Sequence, residues 1–310
     1  MSRTARARFL AAVALVALLL APWLLIREEP LRLDDAARAA GSSFVNLSAG
    51  QTHYDVTGPD AGPTVVLVHG TTSPAFAWDR NVPALEEARV RVVRYDLYGR
   101  GLSDRVDGDY GLDLYVAQLR ELVDHVAPGR PVDLVGFSLG GMVVSEFAIR
   151  HSDRVRRLAL IAPSGVGTDM PLVAKLAVAP VLGEYLMRLA GTRHLRPTRR
   201  DFAHPERHAD FDAAYFETIR FEGSRRAVLE TLRDVPFNAY EDGFRRLGDL
   251  EMPMALIWGR QDAVVPFASS ARVRELVRPS TFVAVDDAGH MVSYEQPGIV
   301  NAALIAFFSN

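Results

Sequence analysis

The sequence of 310 residues predicts an α/β protein built on a mostly parallel sheet. Short runs that are apolar at nearly every position alternate along the chain with longer runs of helical periodicity. Strands that are covered on both faces of a parallel sheet have this continuously apolar character. The alternation stops over 163–250 and then resumes unchanged, which indicates an insertion into one sheet domain.

Each element follows from its local pattern. Two short polar-edged strands at 44–47 and 52–56 are predicted to form a hairpin. Six apolar strands are predicted at 65–68, 90–95, 132–135, 157–161, 254–258 and 281–285. Helical periodicity predicts helices at 112–126, 140–150, 268–277 and 298–308. Strand–helix–strand repeats of this kind connect parallel strands by right-handed crossovers.

The interruption at 163–250 has a helical character. It contains no convincing buried strand, and its periodicity is clearest around 172–189 and 227–232. We therefore expect a helical cap at 163–250 that is inserted into a core formed by 42–162 and 251–310.

An apolar run at 9–26 follows Arg3, Arg6 and Arg8 near the amino terminus. It is longer than the apolar part of a secretory signal, about 7 to 15 residues, and no small-residue cleavage site follows it closely. We therefore expect residues 1–41 to be an uncleaved membrane anchor and its tether, with the rest of the chain on the extracytoplasmic side. Secretion after cleavage of this run is the alternative.

The composition excludes several kinds of chemistry. A net charge of -3 provides no basic surface for nucleic acid. The chain has no cysteine, and Lys175 is its only lysine, so thiolate, Schiff-base and P-loop chemistry have almost no candidate residues. His204 and His208 have metal-ligand spacing, but Pro205 restricts the helix between them and no third ligand is apparent. No metal or other cofactor is predicted, and serine, histidine and carboxylate chemistry remains.

The strand at 132–135 leads into Gly136-Phe137-Ser138-Leu139-Gly140, and a predicted helix follows. This strand–turn–helix context is the one in which a G-x-S-x-G turn presents a nucleophilic serine. Gly136 and Gly140 leave room for the close backbone approach that such a strained turn requires. The helix that follows adds free N–H groups and a positive dipole near a developing oxyanion. Ser138 is therefore the candidate nucleophile.

A nucleophilic serine needs a base and a carboxylate that orients the base. His290 follows a late core strand, so it should lie at the same sheet edge as Ser138. Asp262 also follows a strand, and the order serine, acid, histidine matches this architecture. Asp286 and Asp287 compete for the role of the acid, but their nearness in sequence to His290 makes the geometry harder, and we favour Asp262.

The strand at 65–68 ends in a tight turn, His69-Gly70-Thr71-Thr72. The main-chain N–H groups of Thr71 and Leu139 are the candidate oxyanion donors, with Thr72 as the alternative to Thr71. His69 could instead be a catalytic base. We expect it to support the loop, because it precedes the serine and lies on the oxyanion side.

With these motifs in place, the chain resembles the α/β-hydrolase superfamily from residue 42 to 308. The resemblance rests on the elbow, the turn at 69–70, the strand-and-turn signature at 94–103, Gly289-His290, and the Glu-Gln-Pro sequence at 295–297. It implies an eight-stranded, mostly parallel sheet flanked by helices with an inserted helical cap. It also implies a catalytic triad of Ser138, Asp262 and His290.

Ser138 stands where dehalogenases and epoxide hydrolases of this superfamily carry aspartate, so the chain resembles the serine branch. The expected anchor, cap and elbow together are similar to those of membrane-associated monoacylglycerol lipases and esterases. The resemblance predicts a serine hydrolase that cleaves carboxylic esters, including lipid esters, through an acyl-enzyme and without a cofactor. A carbon–carbon bond hydrolase of the meta-cleavage type and a non-catalytic ligand-binding homologue are the alternatives. The sequence does not specify the acyl chain length or the oligomeric state.

Overall fold

A computed structural model describes residues 2–25, 33, 43–167, 172–190 and 200–309 of the chain. Within these residues, eight strands form one sheet. In chain order they are β1 (Ser43–Asn46), β2 (Gln51–Thr57), β3 (Thr64–Val68), β4 (Arg91–Tyr95), β5 (Val132–Phe137), β6 (Val155–Ile161), β7 (Met254–Gly259) and β8 (Thr281–Val285).

The strands are ordered β1-β2-β4-β3-β5-β6-β7-β8 across the sheet. The hairpin β1–β2 and the pair β2–β4 are antiparallel, and every other neighbouring pair is parallel. All residues of β3, β5 and β7 are buried, which explains why their sequences are apolar without alternation. The predicted α/β fold with an eight-stranded, mostly parallel sheet is confirmed.

Helices lie on both sides of this sheet and between its strands along the chain. In the described residues they are α1 (Arg3–Leu25), α2 (Val82–Glu87), α3 (Leu112–Val126), α4 (Leu139–Arg150), α5 (Leu172–Val178), α6 (Leu182–Ala190), α7 (Ala209–Ile219), α8 (Ser224–Asp234), α9 (Glu241–Gly248), α10 (Ser269–Val277), α11 (Val292–Glu295) and α12 (Pro297–Ser309). Short 3-10 helices occur at Ala75–Trp78, Ser152–Arg154 and Pro205–Arg207. The predicted bounds of α3 match, because its buried side chains recur at helical spacing.

Five of these helices, α5 to α9, lie between β6 and β7 in the sequence. The periodicity around 172–189 belongs to two helices rather than one, because Pro180 lacks the N–H group that a continuous helix would require. Large aromatic side chains of α7 and α9, including Phe211, Tyr215 and Phe244, are fully buried in the hydrophobic core. The helices of this segment therefore pack as part of the folded protein.

The predicted localisation at a membrane is wrong, and the structure gives no support to the anchor and the membrane partner from which we inferred it. Among the described residues, no helix is both long and apolar enough to cross a bilayer. Helix α1 includes Arg3, Arg6 and Arg8 and ends at Leu25. The predicted tether at 26–41 lies outside the described residues, apart from residue 33.

Candidate active site

Ser138 lies at the junction of β5 and α4 in a strained backbone conformation, with φ 53° and ψ -116°. The turn is possible because the backbones around it approach closely. A Cβ on Gly140 would lie 2.2 Å from the carbonyl oxygen of Val68, and one on Gly136 would lie 2.4 Å from the carbonyl oxygen of Gly140. Glycine at both positions therefore allows the Ser138 side chain to project beyond the carboxyl edge of the sheet.

The structure brings Ser138, His290 and Asp262 into one hydrogen-bonded chain. The Ser138 hydroxyl donates to Nε2 of His290 over 3.0 Å, and Nδ1 of His290 donates to Oδ2 of Asp262 over 2.8 Å. All three residues are more than nine-tenths buried. Because an ionised carboxylate only accepts hydrogen bonds, Asp262 fixes the tautomer in which Nε2 is free to accept a proton.

The loop that carries Asp262 and the loop that carries His290 are held against each other. A Cβ on Gly259 would lie 2.2 Å from the carbonyl oxygen of Gly289, so the two loops approach to backbone contact. Gln261 and Ala288 then exchange two hydrogen bonds, from the Gln261 main-chain N–H to the Ala288 carbonyl and from the Ala288 N–H to the Gln261 side chain. Asp262 and His290 are thereby placed by backbone contacts as well as by their own hydrogen bond.

Of the three candidate carboxylates, Asp262 is the one whose hydrogen bonds hold it toward His290. Its Oδ1 accepts the main-chain N–H groups of Val264 and Val265, both at 2.9 Å, which leaves Oδ2 for His290. Asp286 is exposed and pairs with Arg260, and Asp287 pairs with His204 and Arg207. Neither of these competing carboxylates contacts His290.

The electrostatics of the site favour the protonated form of His290. Burial alone lowers the pKa of His290, but the charge of Asp262 and its hydrogen bond raise it. Asp201 and Glu295 add smaller raising effects, and the pKa lies above the ordinary value of 6.5 as a result. A base of this kind accepts a proton readily near neutral pH.

Thr71 and Leu139 lie on two adjacent structural elements, the loop after β3 and the first turn of α4. Neither main-chain N–H group donates a hydrogen bond to another residue in the described part of the chain. Leu139 is the first residue of its helix, where N–H groups have no partner within the helix. Both groups are thus available to a ligand oxygen above Ser138.

His69 is not available as a base. Its Nδ1 donates to the carbonyl of Gly70 over 2.7 Å, and its Nε2 accepts the main-chain N–H of Leu97 over 2.9 Å. Complete burial is the main reason why the pKa of His69 falls to about 4, so the ring stays neutral. The side chain supports the loop after β3, as the sequence suggested.

Sequence reasoning missed Ser164, whose hydroxyl lies 3.2 Å from the Ser138 hydroxyl. Because Ser138 donates to His290, Ser164 is the donor in this pair. Ser164 follows β6, which neighbours β5 in the sheet. Its place just after the carboxyl end of a strand was therefore the signal that could have identified it.

A cavity of about 940 Å³ opens above Ser138 and His290. Its walls are mostly apolar, with polar groups near the two site residues. Residues of its wall include Ser164, Val166, Arg200, Leu232 and Phe237. A cavity of this size and character suits a small organic substrate.

Comparisons with known proteins identify the family to which the fold belongs. Residues 65–303 match the Alpha/beta hydrolase family. The chain is 31% identical over 250 residues to a 2-hydroxy-6-oxo-2,4-heptadienoate hydrolase of Pseudomonas putida, and the match covers 76% of this chain and 85% of the relative.

Two solved structures extend the likeness. A meta-cleavage product hydrolase from Pseudomonas fluorescens is similar with a TM-score of 0.69 and 25% identity, over 86% of this chain and 97% of that one. A thermophilic esterase from Thermogutta terrifontis is similar with a TM-score of 0.73 and 22% identity, over 87% and 98% of the two chains. At that identity, the esterase shows a shared fold.

We expect Gly140→Ala to lower the free energy of unfolding by about 1 to 3 kcal/mol, because the added Cβ would overlap the Val68 carbonyl. Unfolding in urea measures this change. Gly298→Ala is the control, since a Cβ there meets nothing within 4 Å. Equal stability of the two variants would contradict the assignment of a tight elbow.

The raised pKa of His290 predicts an imidazole titration midpoint above pH 6.5. Asp262→Asn should lower that midpoint, because the charge that favours the imidazolium is removed while the burial remains. NMR of ¹⁵N-histidine-labelled protein measures both. Asp286→Asn removes an exposed carboxylate that pairs with Arg260 and should leave the midpoint unchanged. A midpoint that does not respond to Asp262→Asn would refute the coupling.

Proposed function

Because the chain belongs to the alpha/beta hydrolase family, we propose that it is a serine hydrolase that cleaves carboxylic esters through an acyl-enzyme. The observation that carries this proposal is the hydrogen-bonded chain from Asp262 through His290 to Ser138, which ends below an open cavity. This arrangement activates a hydroxyl that is otherwise a weak nucleophile.

In the acylation step, the Ser138 oxygen attacks the ester carbonyl carbon while Nε2 of His290 takes the hydroxyl proton. The carbonyl oxygen becomes an oxyanion, and the main-chain N–H groups of Thr71 and Leu139 stabilise it. Donors of this kind are typically each worth about 100- to 1000-fold in rate. His290 then gives its proton to the departing alcohol, and Asp262 stabilises the imidazolium in between.

Deacylation repeats these steps with water as the nucleophile. His290 removes a proton from water, the resulting hydroxide attacks the acyl carbon, and the second tetrahedral intermediate collapses. The carboxylic acid leaves, and the proton returns to Ser138. The reaction as proposed proceeds without a metal or organic cofactor.

The cavity chemistry supports an uncharged substrate. Among the described residues that line it, Arg200 is the only cationic side chain apart from the histidine, and its guanidinium already donates to the carbonyl of Ala263 over 3.2 Å. Apolar side chains such as Val166, Leu232 and Phe237 suit the acyl or alcohol chain of a neutral ester. Esters of lipids, including monoacylglycerols, belong to this class.

We also propose the division of the chain that the sequence indicated, with a core of 42–162 and 251–310 and a cap of 163–250. The position of α5 to α9 between β6 and β7 supports this division. Val166, Leu232 and Phe237 would then be the cap's contribution to the substrate cavity.

A carbon–carbon bond hydrolase is the second candidate. The specific observation in its favour is the 31% identity to the 2-hydroxy-6-oxo-2,4-heptadienoate hydrolase. The substrate named there carries a carboxylate, for which the described cavity offers only the engaged Arg200. We therefore place esters first.

Ser138→Ala should abolish hydrolysis of p-nitrophenyl esters and monoacylglycerols while the protein stays folded. The reason is that the Ser138 hydroxyl is the group that donates to Nε2 of His290. Release of p-nitrophenol, together with circular dichroism, tests this prediction. Ester turnover by the alanine variant at more than about one-thousandth of the parent rate would refute the proposal.

The parent protein also distinguishes the ester hydrolase from the carbon–carbon bond hydrolase. We expect its kcat/KM for an aliphatic p-nitrophenyl ester to exceed its kcat/KM for a 2-hydroxy-6-oxo-dienoate. Loss of visible absorbance measures turnover of the dienoate. The reverse ranking would assign the protein to carbon–carbon cleavage. Turnover of neither substrate, with no labelling of Ser138 by a fluorophosphonate, would indicate a ligand-binding homologue.

Ser164→Ala should lower kcat for esters by about 2- to 10-fold, since one hydrogen bond to the nucleophile, worth about 0.5 to 1.5 kcal/mol, is lost. Ser145→Ala is the control, because its hydroxyl bonds to the Gly141 carbonyl within α4. Steady-state kinetics measure both variants. Equal kcat values in Ser164→Ala and the parent protein would contradict a role for this hydroxyl.

A further inference from the structure

Arg100 carries a guanidinium group that is buried among neutral acceptors, and only 3% of the residue is exposed. Its Nε donates to the carbonyl of Thr71 over 2.7 Å, and its Nη2 donates to the Thr231 hydroxyl over 2.8 Å. Its Nη1 lies within 3.4 Å of three further acceptors, the Tyr98 carbonyl, the Tyr115 hydroxyl and the Ala227 carbonyl. Within the described ranges, no carboxylate forms a salt bridge with it.

The contact with Thr71 fixes a peptide plane of the proposed oxyanion loop. The Thr71 carbonyl and the Thr72 N–H belong to one peptide group, and in a trans peptide these two groups point in opposite directions. The preceding peptide is held in the same manner, because His69 donates to the Gly70 carbonyl and so directs the Thr71 N–H. Two consecutive peptides are therefore restrained at their carbonyls, and each N–H group points away from the side chain that holds its carbonyl.

We propose that Arg100 is a positioning residue for the oxyanion site. By holding the Thr71 carbonyl it fixes the peptide of the Thr72 N–H, the alternative donor, and with it the backbone that directly follows the Thr71 N–H. The inference rests on the proposed function, because an oxyanion site matters only if an acyl group is transferred at Ser138. Arg100 acts through the backbone and does not touch the substrate.

The energetics of burial support a role beyond stability. A buried cation without a paired carboxylate loses hydration that neutral acceptors only partly replace, so an apolar side chain could fill this space at less cost. The guanidinium offers what an apolar side chain lacks, namely five donors in a rigid plane. One end of this plane holds the loop after β3, and the other holds Ala227 and Thr231 of α8. The loop is thus braced against a helix of the segment between β6 and β7.

The test compares Arg100→Met and Arg100→Lys with Arg91→Met as the matched control. Arg91 is another largely buried arginine that donates to a carbonyl, that of Val126 over 3.0 Å, but it lies at the opposite end of the sheet, at the start of β4. Three quantities are measured on each protein: kcat and KM for a p-nitrophenyl ester, the inhibition constant of a trifluoromethyl ketone, and the melting temperature. The ketone forms an oxyanion on Ser138, so its affinity reports on the oxyanion site directly.

We expect Arg100→Met to lower kcat about 10- to 100-fold and to weaken ketone binding by a similar factor, with KM changed less than about threefold. Arg100→Lys should retain part of the activity, because one ammonium can still reach the Thr71 carbonyl. Arg91→Met should keep the parent kcat even if its melting temperature falls.

Three results would overturn the inference: a parent-like kcat and ketone affinity in folded Arg100→Met, a loss confined to KM, or an equal loss of kcat in Arg91→Met. If Arg100→Met does not fold, Arg100→Lys decides the matter, since a kcat within twofold of the parent would overturn the inference. Failure of the proposed function shows itself differently, in a parent protein that neither hydrolyses the ester nor binds the ketone, and that result would overturn both.

Discussion

Gly140 lies so close to the carboxyl end of β3 that no side chain fits between them. This backbone contact holds the start of α4 against the carboxyl end of β3 and the beginning of the loop that follows it. Because β3 and β5 are neighbouring parallel strands, both segments leave the sheet at the same edge. The strained φ of Ser138 is maintained by the same contact, since relaxing the turn would move α4 away from β3. The position of the nucleophile therefore depends on the close contact between Gly140 and β3.

A second close approach, between Gly259 and Gly289, determines where the acid and the base lie. The loops after β7 and β8 share hydrogen bonds through Gln261 and Ala288, so Asp262 and His290 cannot separate without breaking backbone contacts. Glu295 extends this restraint, because its partly buried carboxylate accepts the N–H groups of both Gly289 and Ala203. The segment between β6 and β7 is thereby joined to the loop that carries His290. Arg100 makes a comparable connection on the oxyanion side of the site.

The central strands β3, β5 and β7 could be predicted from the sequence because burial on both faces leaves a continuous apolar signature. The edge strand β8, which is only partly buried, was also predicted with its observed bounds. The proximity of Ser138, Asp262 and His290 also followed from the sequence, since each residue lies in the segment that follows the carboxyl end of a parallel strand. Their catalytic roles stay a prediction.

Helix α2 was missed because its six residues are too few to display a period. Ser164 and Arg100 were missed because their partners are distant in sequence. Ser164 meets Ser138 only through the order of the strands, and Arg100 meets its partners in α8 only through the packing of that helix. The membrane localisation was wrong because it was inferred from apolar composition alone, whereas no helix among the described residues is both long and apolar enough to cross a bilayer.

The most direct measurement is the reaction of the folded protein with a fluorophosphonate, followed by peptide mapping and repeated across pH. The central claim is that His290, raised in pKa by Asp262, activates Ser138. It predicts one covalent adduct per chain, on the peptide that contains Ser138, and a labelling rate that rises with pH through a midpoint above 6.5 as His290 loses its proton. A folded protein that hydrolyses esters but is labelled elsewhere, or whose labelling rate is independent of pH between 5 and 8, would contradict the account.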